Sequence, residues 1–331
     1  MSQIYVAIDG GTTNTRIVLV DDTTTIIDRE KIPIGAGETV KTGSNSSLNN
    51  AVKSALQKVL ERNRLTPDSL AGIFASGMIC SELGIHCVPH IPAPADISTL
   101  AKACVTVTIP EITPLIPITF IPGLKCTGDS PADTEIMRGE ETEAVGIYHL
   151  ANCHEPFVLL LPGTHNKIIF IGKNGVIERF FTAISGELTK CVSDHTILKS
   201  SLEGGYSKNL DEAYLLDGYD KCEKSGLTGA LFKIRTYSKF TDTSAEQLYA
   251  YLVGVVLHED IKLLKSVMRD APRPIIVAGS EPFKTALCRL ILNRTEFSLF
   301  FDQKNDEDLF ENSAVYGALS IGKTALSYLK T

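Results

Sequence analysis

The stretch IYVAIDGGTTNTRIVLV, Ile4–Val20, decides the fold of this chain. Two apolar runs flank its polar centre, and their length and β-branched residues predict two buried strands joined by a tight turn. Glycines in the turn let backbone N–H groups approach a ligand, and successive N–H groups form a concavity that binds anions. Asp9, where the first strand ends, is placed to hold a hydrated divalent cation. The stretch therefore indicates a phosphate and metal site, with a plain β-hairpin and polar turn as the alternative.

Composition restricts the class of protein. The 331 residues are 44% hydrophobic and 21% charged, which is typical of a soluble globular protein with room for two cores. A net charge of −7 without a basic cluster argues against a nucleic-acid partner. The apolar runs near 157–161 and 251–257 are too short for a bilayer, and the N-terminus does not read as a signal peptide. Eight cysteines without a C-x-x-C pair favour a cytoplasmic location, and the oligomeric state is not readable.

The element order of the first half recurs in the second half. The stretch FVLLLPGTHNKIIFI, Phe157–Ile171, again has an apolar strand, a Gly-Thr turn and a second apolar strand. Gly11-Thr12 and Gly163-Thr164 fall at equivalent places in the two copies. This repeat predicts an α/β chain built from two βββαβαβα copies with insertions, folded as two lobes, 1–150 and 151–331, with a cleft between them.

The proline-rich segment 88–123 is the main irregularity of the first lobe. It contains seven prolines among β-branched residues, which predicts edge strands and extended loops and excludes a helix. We interpret this segment as an inserted cap beside the substrate site.

The segment GALSIGKT, residues 317–324, matches the P-loop pattern letter for letter. A P-loop needs a buried strand before it and a helix after it. Here the preceding residues already have helical spacing, and too few residues follow for the rest of the motif. We therefore predict that its two glycines allow close packing of a last helix, which can pack back on the N-terminal lobe.

Two Gly-Thr turns that face each other across a cleft can hold one polyphosphate from both sides. The phosphate-binding residues predicted in this way are Gly10, Gly11, Thr12, Thr13, Gly163 and Thr164. Gly279-Ser280 follows a buried strand and opens a helix, so it predicts a floor for adenosine. A plain strand-to-helix turn is the alternative there.

Phosphoryl transfer to an alcohol needs a carboxylate near the accepting hydroxyl. Glu140 follows a glycine at the start of a helix, just before the second lobe, and is the predicted base. Asp129, Asp133 and Glu141 are the rival acids. Acids in a first helical turn can instead simply stabilise the helix dipole.

The arginines nearest the predicted cleft suit an anionic substrate, because a guanidinium binds carboxylate in a bidentate way. These are Arg16 and Arg138, and ion-paired scaffolding is the alternative for both. Asn14 in the first turn, Glu141 beside the predicted base and His165 after the second turn are further candidates for contact with the substrate.

Five segments resemble one family in order and spacing. They are IPGLKC (121–126), IMRGEET (136–142), LPGTHNKII (161–169), ISGEL (184–188) and IIVAGS (275–280). The family is that of the 2-keto-3-deoxygalactonate kinases, within the ribonuclease H-like superfamily of actin-like ATPases and sugar kinases. ASGM (75–78) resembles its first substrate loop, which adds Gly77 and Met78 to the predicted substrate site.

The resemblance implies ATP-dependent, Mg²⁺-assisted phosphorylation of the 6-hydroxyl of a 2-keto-3-deoxy sugar acid. Gly139-Glu140 occupies the place of the catalytic acid of related sugar kinases, with glutamate instead of the more usual aspartate. Two family tryptophans correspond here to Gly10 and Ile168. A kinase for the gluconate epimer and a non-catalytic nucleotide-binding sugar sensor stay open as alternatives.

Overall fold

The computed structural model describes residues 2–151, 153, 155–269, 272–300 and 312–329. Described residues within Met1–Glu155, Ile171–Arg179 and Glu307–Thr331 form a first compact unit, and those within Pro156–Phe170 and Phe180–Asp306 form a second. No described helix is long and apolar enough to cross a membrane.

The strands and helices are numbered along the chain. The strands are β1 (Ile4–Gly10), β2 (Thr15–Asp21), β3 (Ile26–Ile32), β4 (Leu70–Gly77), β5 (Ile91–Pro92), β6 (Val105–Ile109), β7 (Thr113–Phe120), β8 (Leu124–Cys126), β9 (Glu135–Met137), β10 (Phe157–Leu161), β11 (Asn166–Ile171), β12 (Ile177–Ala183) and β13 (Ile275–Val277). The helices are α1 (Gly37–Thr42), α2 (Ser46–Arg62), α3 (Ile97–Lys102), α4 (Glu140–Ala151), α5 (Ser185–His195), α6 (Lys199–Leu202), α7 (Glu212–Phe240), α8 (Ala245–Val267), α9 (Phe283–Arg294) and α10 (Ser313–Leu329).

The main sheet of the first unit has the order β3-β2-β1-β4-β7-β6. β1 runs antiparallel to β2 and parallel to β4. Asp9 therefore lies opposite Arg16 on β2 and beside Ser76 on β4, and Gly10 lies beside Gly77. The predicted pair of buried strands around a tight turn is confirmed, and the register brings the predicted metal ligand next to a predicted substrate arginine.

Helix α2 covers one face of this sheet. Ser46 and Ser47, followed by apolar residues at helical spacing, predict a serine-capped helix here. The apolar positions are buried, as Leu48, Val52, Leu56, Val59 and Leu60. The predicted cap is wrong, because the residue before the helix is Asn45 and no side chain caps the first turn. The hydroxyl of Ser46 lies 2.8 Å from that of Ser44 instead. Burial of the apolar face of α2 thus stabilises this helix without a side-chain cap.

The prediction that segment 88–123 excludes a helix is wrong. Helix α3 begins after Asp96, whose carboxylate caps it by accepting a 2.7 Å hydrogen bond from the backbone N–H of Thr99. The prolines that break helices stop at Pro94 and resume at Pro110, so the residues between them are free to form α3 and β6. β7, which follows, pairs parallel with β4 inside the main sheet. The role of the segment as a cap stays a prediction.

The sheet of the second unit has the order β12-β11-β10-β13. β13 runs parallel to β10, and Ile275 of β13 makes a parallel bridge to Leu299. In this order β12, β11, β10 and β13 take the places that β3, β2, β1 and β4 have in the first unit. The sequence also predicts a last strand over 297–302, and this range lies partly outside the described residues. The complete βββαβαβα repeat and the cleft stay predictions.

Helices α7 and α8 form the largest helical contact of the second unit. The sequence predicts helices over about 209–217 and 225–236. In the structure, two helical stretches of α7 meet at Gly226, where the backbone is non-helical (φ 71°, ψ 167°), and residues 218–224 are helical as well. The helices approach closely because Gly218 and Gly254 lack side chains: a Cβ would lie 2.1 Å from the Tyr251 carbonyl oxygen and 2.0 Å from that of Leu215, respectively. Backbone therefore meets backbone along this pair.

The GALSIGKT segment lies inside α10, as predicted, and its glycines pack closely. A Cβ on Gly317 would lie 1.8 Å from the carbonyl oxygen of Thr142 on α4, and one on Gly322 would meet the ring of Phe74 on β4 at 2.2 Å. The sequence predicts that this helix begins at about residue 309, and residues 309–311 lie outside the described residues. α10 thus completes the core of the first unit against α3, α4, β1 and β4.

Candidate active site

The turn between β1 and β2 is closed by a 2.8 Å hydrogen bond from the N–H of Gly11 to the carbonyl of Asn14. The N–H groups of Ala36 and Gly37 donate to the carbonyls of Gly11 and Thr12 at 3.0 and 2.9 Å. These bonds fix the carbonyl side of the turn, whereas the side chains of Thr12 and Thr13 are exposed. The supporting loop at 35–37 was not recognised in the sequence, although its Gly-Ala-Gly composition is a signal of close backbone contact.

Three glycines bring β1, β4 and α4 together behind this turn. A Cβ on Gly77 (φ +81°) would lie 2.5 Å from the carbonyl oxygen of Gly10, and one on Gly139 (φ +109°) would lie 3.1 Å from the Cα of Gly77. Both torsions favour glycine. The carbonyl ends of two strands and the start of a helix therefore meet, which places Asp9 among the acids of α4.

Asp9 and Arg16 form an ion pair across the β1–β2 ladder. Nη2 of Arg16 lies 2.6 Å and Nε 3.0 Å from Oδ2 of Asp9. The arginine side chain is 52% exposed and that of the aspartate 20%. Because the pair is accessible to solvent, a divalent cation can compete with the guanidinium for the carboxylate.

The first turn of α4 carries three acids with different environments. Glu140 is partly exposed and accepts a 3.0 Å hydrogen bond from the N–H of Arg138. Glu141 is fully buried and accepts from the N–H of Gly139 at 2.8 Å, so it closes the helix start and does not face solvent. Burial, followed by the charge of Glu140, raises the pKa of Glu141 to about 8. Of these two predicted residues, only Glu140 can reach a substrate.

Glu143 was missed by the sequence interpretation. Burial, and then the charges of Asp9 and Glu140, raise its pKa to about 8. Because both carboxylates act on Glu143, the predicted metal ligand and the predicted base lie in one acidic cluster. The signal was the acidic run EETE at a helix start, in which the spacing of three from Glu140 points both side chains to the same side.

Arg138 holds the loop that follows β4. Its guanidinium donates to the carbonyls of Cys80 and Val88, each at 2.8 Å, and lies 3.2 Å from Nδ1 of His90. Burial, followed by the charge of Arg138, lowers the pKa of His90 to about 4, so the imidazole is neutral and can accept. These contacts favour the scaffolding alternative for Arg138 and fix the segment that begins with Gly77-Met78.

The rival acids Asp129 and Asp133 lie on the loop between β8 and β9. Both are exposed. Asp133 accepts a hydrogen bond of 2.5 Å from the hydroxyl of Ser130, which closes a single 3₁₀ turn at Pro131–Asp133. This contact gives Asp133 a local role in shaping its own loop.

The second Gly-Thr turn rests on a buried polar network. The N–H of Gly163 donates to Oδ1 of Asn166 at 2.9 Å, and Nδ2 of Asn166 donates to Asp260 on α8 at 2.6 Å. The hydroxyl of Ser185 donates to the other oxygen of Asp260. Burial raises the pKa of Asp260 to about 6 in spite of these donors. No local pattern in the sequence signals this network, because Asp260 lies 94 residues from Asn166.

The predicted adenosine residues lie beside the second turn. A Cβ on Gly279 (φ +90°) would lie 2.6 Å from the carbonyl oxygen of Pro162, and the N–H of Ser280 donates to the same carbonyl at 3.3 Å. Gly163-Thr164 and Gly279-Ser280 are therefore brought together within the second unit. Such a group of glycines and N–H groups admits a phosphate or a flat ring.

The second turn also packs against the start of α5. The N–H of Glu187 donates to the carbonyl of Thr164 at 2.9 Å, and a Cβ on Gly186 would lie 2.0 Å from the carbonyl oxygen of Gly163. The side chain of Glu187 lies 2.9 Å from Nε2 of His165, in a pair that is exposed to solvent. His165 therefore stands at the surface beside the predicted phosphate turn.

Known structures share this fold. A crystal structure from Sinorhizobium meliloti, of a protein assigned as a 2-dehydro-3-deoxygalactonokinase, aligns with a TM-score of 0.77 at 22% identity, covering 97% of this chain and 99% of that one. The activator of 2-hydroxyisocaproyl-CoA dehydratase from Clostridium difficile, with bound ADPNP, aligns with a TM-score of 0.54 at 12% identity, covering 100% and 98%. The chain has the mixed α/β fold of these two structures.

The sequence comparison defines the family. Residues 9–300 match the family model described as 2-keto-3-deoxy-galactonokinase. A relative from Rhizobium meliloti (strain 1021), named "Probable 2-dehydro-3-deoxygalactonokinase DgoK1", is 25% identical over 261 residues, which cover 78% of this chain and 79% of the relative. The chain belongs to the 2-keto-3-deoxy-galactonokinase family, and the predicted sugar-acid kinase is confirmed. The reaction of the family is ATP-dependent phosphorylation of 2-keto-3-deoxygalactonate.

Proposed function

We propose that this chain transfers the γ-phosphoryl group of ATP to the 6-hydroxyl of 2-keto-3-deoxygalactonate at the turn of its first unit. The observation that carries this proposal is the meeting of Asp9, Arg16 and the α4 acids behind the Gly10–Asn14 turn, in a kinase of this family. A cation ligand, a cationic ligand for the substrate carboxylate and a base are thereby supplied within one unit.

The donor set suits Mg²⁺ and phosphate. Asp9 offers a partly exposed carboxylate, which fits a cation that keeps most of its water. Gly10 and Gly11 have no side chains and let phosphate approach the turn closely, and the exposed hydroxyls of Thr12 and Thr13 offer donors to it. When bound, the ion neutralises the charge that develops on the phosphates. Proton removal and substrate binding are carried out by side chains of this protein.

The second unit supplies the remaining nucleotide contacts in this proposal. Gly163 and Thr164 contact phosphate, and Gly279 and Ser280 contact the adenosine. Asp260 supports this arrangement from behind, because its hydrogen bond positions the Asn166 amide that holds Gly163. The closure of two lobes over a cleft belongs to the same proposal and stays a prediction.

Glu140 acts as the general base. It removes the proton from the 6-hydroxyl as the hydroxyl oxygen bonds to the γ-phosphorus and ADP leaves with the bridging oxygen. Its partial exposure and the hydrogen bond from Arg138 N–H keep its carboxylate at the start of α4, whereas Glu141 is sealed in the core. Glu140 is therefore the one of the two that a sugar acid can reach.

Arg16 binds the carboxylate of the sugar acid. The guanidinium of Arg16, which is half-exposed, would turn from the Asp9 carboxylate to the carboxylate of the sugar acid when Asp9 holds a cation. Asn14, Gly77, Met78 and His165 are the further residues proposed to contact the substrate. Arg138 shapes the Gly77–Met78 segment through its carbonyl contacts.

The proposed reaction is tested by a coupled assay of ADP release over a panel of 2-keto-3-deoxy sugar acids. We expect turnover with the galactonate compound above that with its gluconate epimer. A higher kcat/KM for the epimer would change the assigned substrate, and no turnover with any sugar acid would favour the sensor alternative.

Glu140→Gln tests the base. The amide retains an oxygen for the Arg138 N–H but cannot take a proton, so we expect kcat to fall by about 100-fold or more. Asp133→Asn is the matched control, and we expect it to retain activity. Near-normal turnover of the glutamine variant would remove Glu140 from this role.

A further inference from the structure

We propose that Cys222, His258 and Glu259 form a site for a divalent cation of the zinc class in the second unit, between α7 and α8. Their ligand atoms all lie within 4.8 Å of one another. This site is separate from the proposed phosphate and substrate residues and does not depend on the proposed function.

The spacing of the ligand atoms fits a tetrahedral ion. Sγ of Cys222 lies 3.7 Å from Oε1 of Glu259, and Nδ1 of His258 lies 3.1 Å from the same oxygen. With bond lengths of about 2.3 Å to sulfur and about 2.0 to 2.1 Å to nitrogen or oxygen, the edges of a tetrahedron are about 3.3 to 3.6 Å. Two of the three ligand-to-ligand distances therefore differ from tetrahedral edges by only a few tenths of an ångström, and the third pair of ligand atoms lies within 4.8 Å.

The second nitrogen of His258 has the partner that zinc-bound imidazoles usually have. Nε2 lies 2.5 Å from Oε2 of Glu223, so the ring can donate to one carboxylate while Nδ1 faces the other ligands. A carboxylate on the far nitrogen fixes the tautomer and raises the basicity of the ligating nitrogen. The ring of Tyr219 packs edge-on against the imidazole at 4.8 Å and fixes its plane.

Burial and access also suit an ion. Cys222 and His258 are buried, whereas the side chain of Glu259 is 41% exposed and that of Glu223 is 68% exposed. The glutamates therefore leave a path for the ion and room for a water as fourth ligand. Lys262 lies 3.7 Å from Oε2 of Glu259, and Lys265 donates to the hydroxyl of Tyr219 at 3.2 Å, so two positive charges lie near the cluster. Sulfur, imidazole and carboxylate together favour zinc over magnesium or calcium.

The position of the cluster gives the ion a structural task. Cys222 lies four residues before the break in α7 at Gly226, and His258 lies in α8. An ion bound there would cross-link the two helices just before α7 loses its regular hydrogen bonds. Without an ion, His258 contacts Glu259 through Nδ1 and Glu223 through Nε2. The experiment distinguishes this ion-free state from the state with a bound ion.

The test uses the purified full chain, stripped with a chelator under a phosphine reductant and titrated with Co²⁺ and then Zn²⁺. We expect one equivalent of cobalt to produce the charge-transfer absorption of a thiolate ligand and zinc to abolish it. Cys222→Ser should remove this absorption, whereas Cys191→Ser, an exposed cysteine of the same unit, should leave it unchanged. Absence of the band, or its persistence in Cys222→Ser, would overturn the proposal.

Glu223→Gln is the second variant, since an exposed side chain can be changed without loss of the fold. It leaves all three ligands in place and alters only the partner of His258, so we expect zinc affinity to fall by about 10- to 100-fold. Zinc should also raise the melting temperature of the parent chain more than that of Cys222→Ser. An unchanged affinity in Glu223→Gln together with no melting shift in the parent would contradict the cross-link.

Discussion

Asp260 should make the stability of the protein depend on pH with an unusual sign. It lies buried beneath the second Gly-Thr turn, and burial raises its pKa from 3.8 to about 6. A carboxyl whose folded pKa is raised gives its full contribution to stability below the unfolded pKa. That contribution is lost as the pH rises through the folded pKa.

The size of the effect follows from the two pKa values. Relative to its value at low pH, the free energy of unfolding is lowered through Asp260 by about 3 kcal/mol at about pH 8 and by about 1.6 kcal/mol at about pH 5. The free energy of unfolding should therefore fall by about 1.4 kcal/mol over this interval through Asp260 alone. The side chain of the Asp260→Asn variant cannot ionise. Between about pH 5 and about pH 8, the free energy of unfolding of the variant should therefore rise by about 1.4 kcal/mol relative to that of the parent.

The measurement is urea unfolding followed by far-ultraviolet circular dichroism at several pH values, for the parent and for Asp260→Asn. Asp194→Asn is the control, because Asp194 is exposed and the hydrogen bond from Lys190 lowers its pKa. The difference in the free energy of unfolding between Asp194→Asn and the parent should stay constant between about pH 5 and about pH 8. If Asp260→Asn also keeps a constant difference from the parent between about pH 5 and about pH 8, the buried carboxyl is not ionising as argued.

Two further substitutions test other parts of the fold and site. Gly317→Ala places a methyl group 1.8 Å from the carbonyl oxygen of Thr142, so unfolding of the first unit should require about 1 to 3 kcal/mol less. The control Gly229→Ala, whose Cβ meets only the side chain of Ser225, should be neutral or stabilising by up to about 1 kcal/mol; equal effects would contradict the packing argument. Arg16→Gln should raise the KM for the sugar acid by about 10-fold or more while the KM for ATP changes little, as measured by ADP release. An unchanged KM for the sugar acid would mean that Arg16 only pairs with Asp9 and does not bind the substrate.

Local patterns predicted the regular elements of this chain. The apolar runs around Asp9 and the helical spacing of α2 each depend on neighbours within a few residues, and both are confirmed. The helical reading of GALSIGKT rested on the same kind of information. The prolines of segment 88–123 misled because a helix needs only a short proline-free interval and a cap, which Asp96 supplies.

The supports of the site could not be predicted because they depend on residues far apart in the chain. Asp260 meets Asn166 only after α8 has packed against the second sheet, and nothing near either residue signals this contact. Arg138 shows the same limit, because its partners are backbone carbonyls of Cys80 and Val88, and every residue has a carbonyl. Asp9 and Glu140 could be proposed as site residues from the sequence, because Asp9 follows an apolar strand and each lies next to a glycine.

The place of α10 in the first unit has a consequence for how the chain is made. The surfaces of α3, α4, β1 and β4 that α10 covers leave the ribosome long before α10 does. The second unit is encoded between them and can bury its own core in the meantime. The part synthesised first should thus be the last to become stable, and nascent chains halted before residue 313 should expose apolar surface that chaperones recognise.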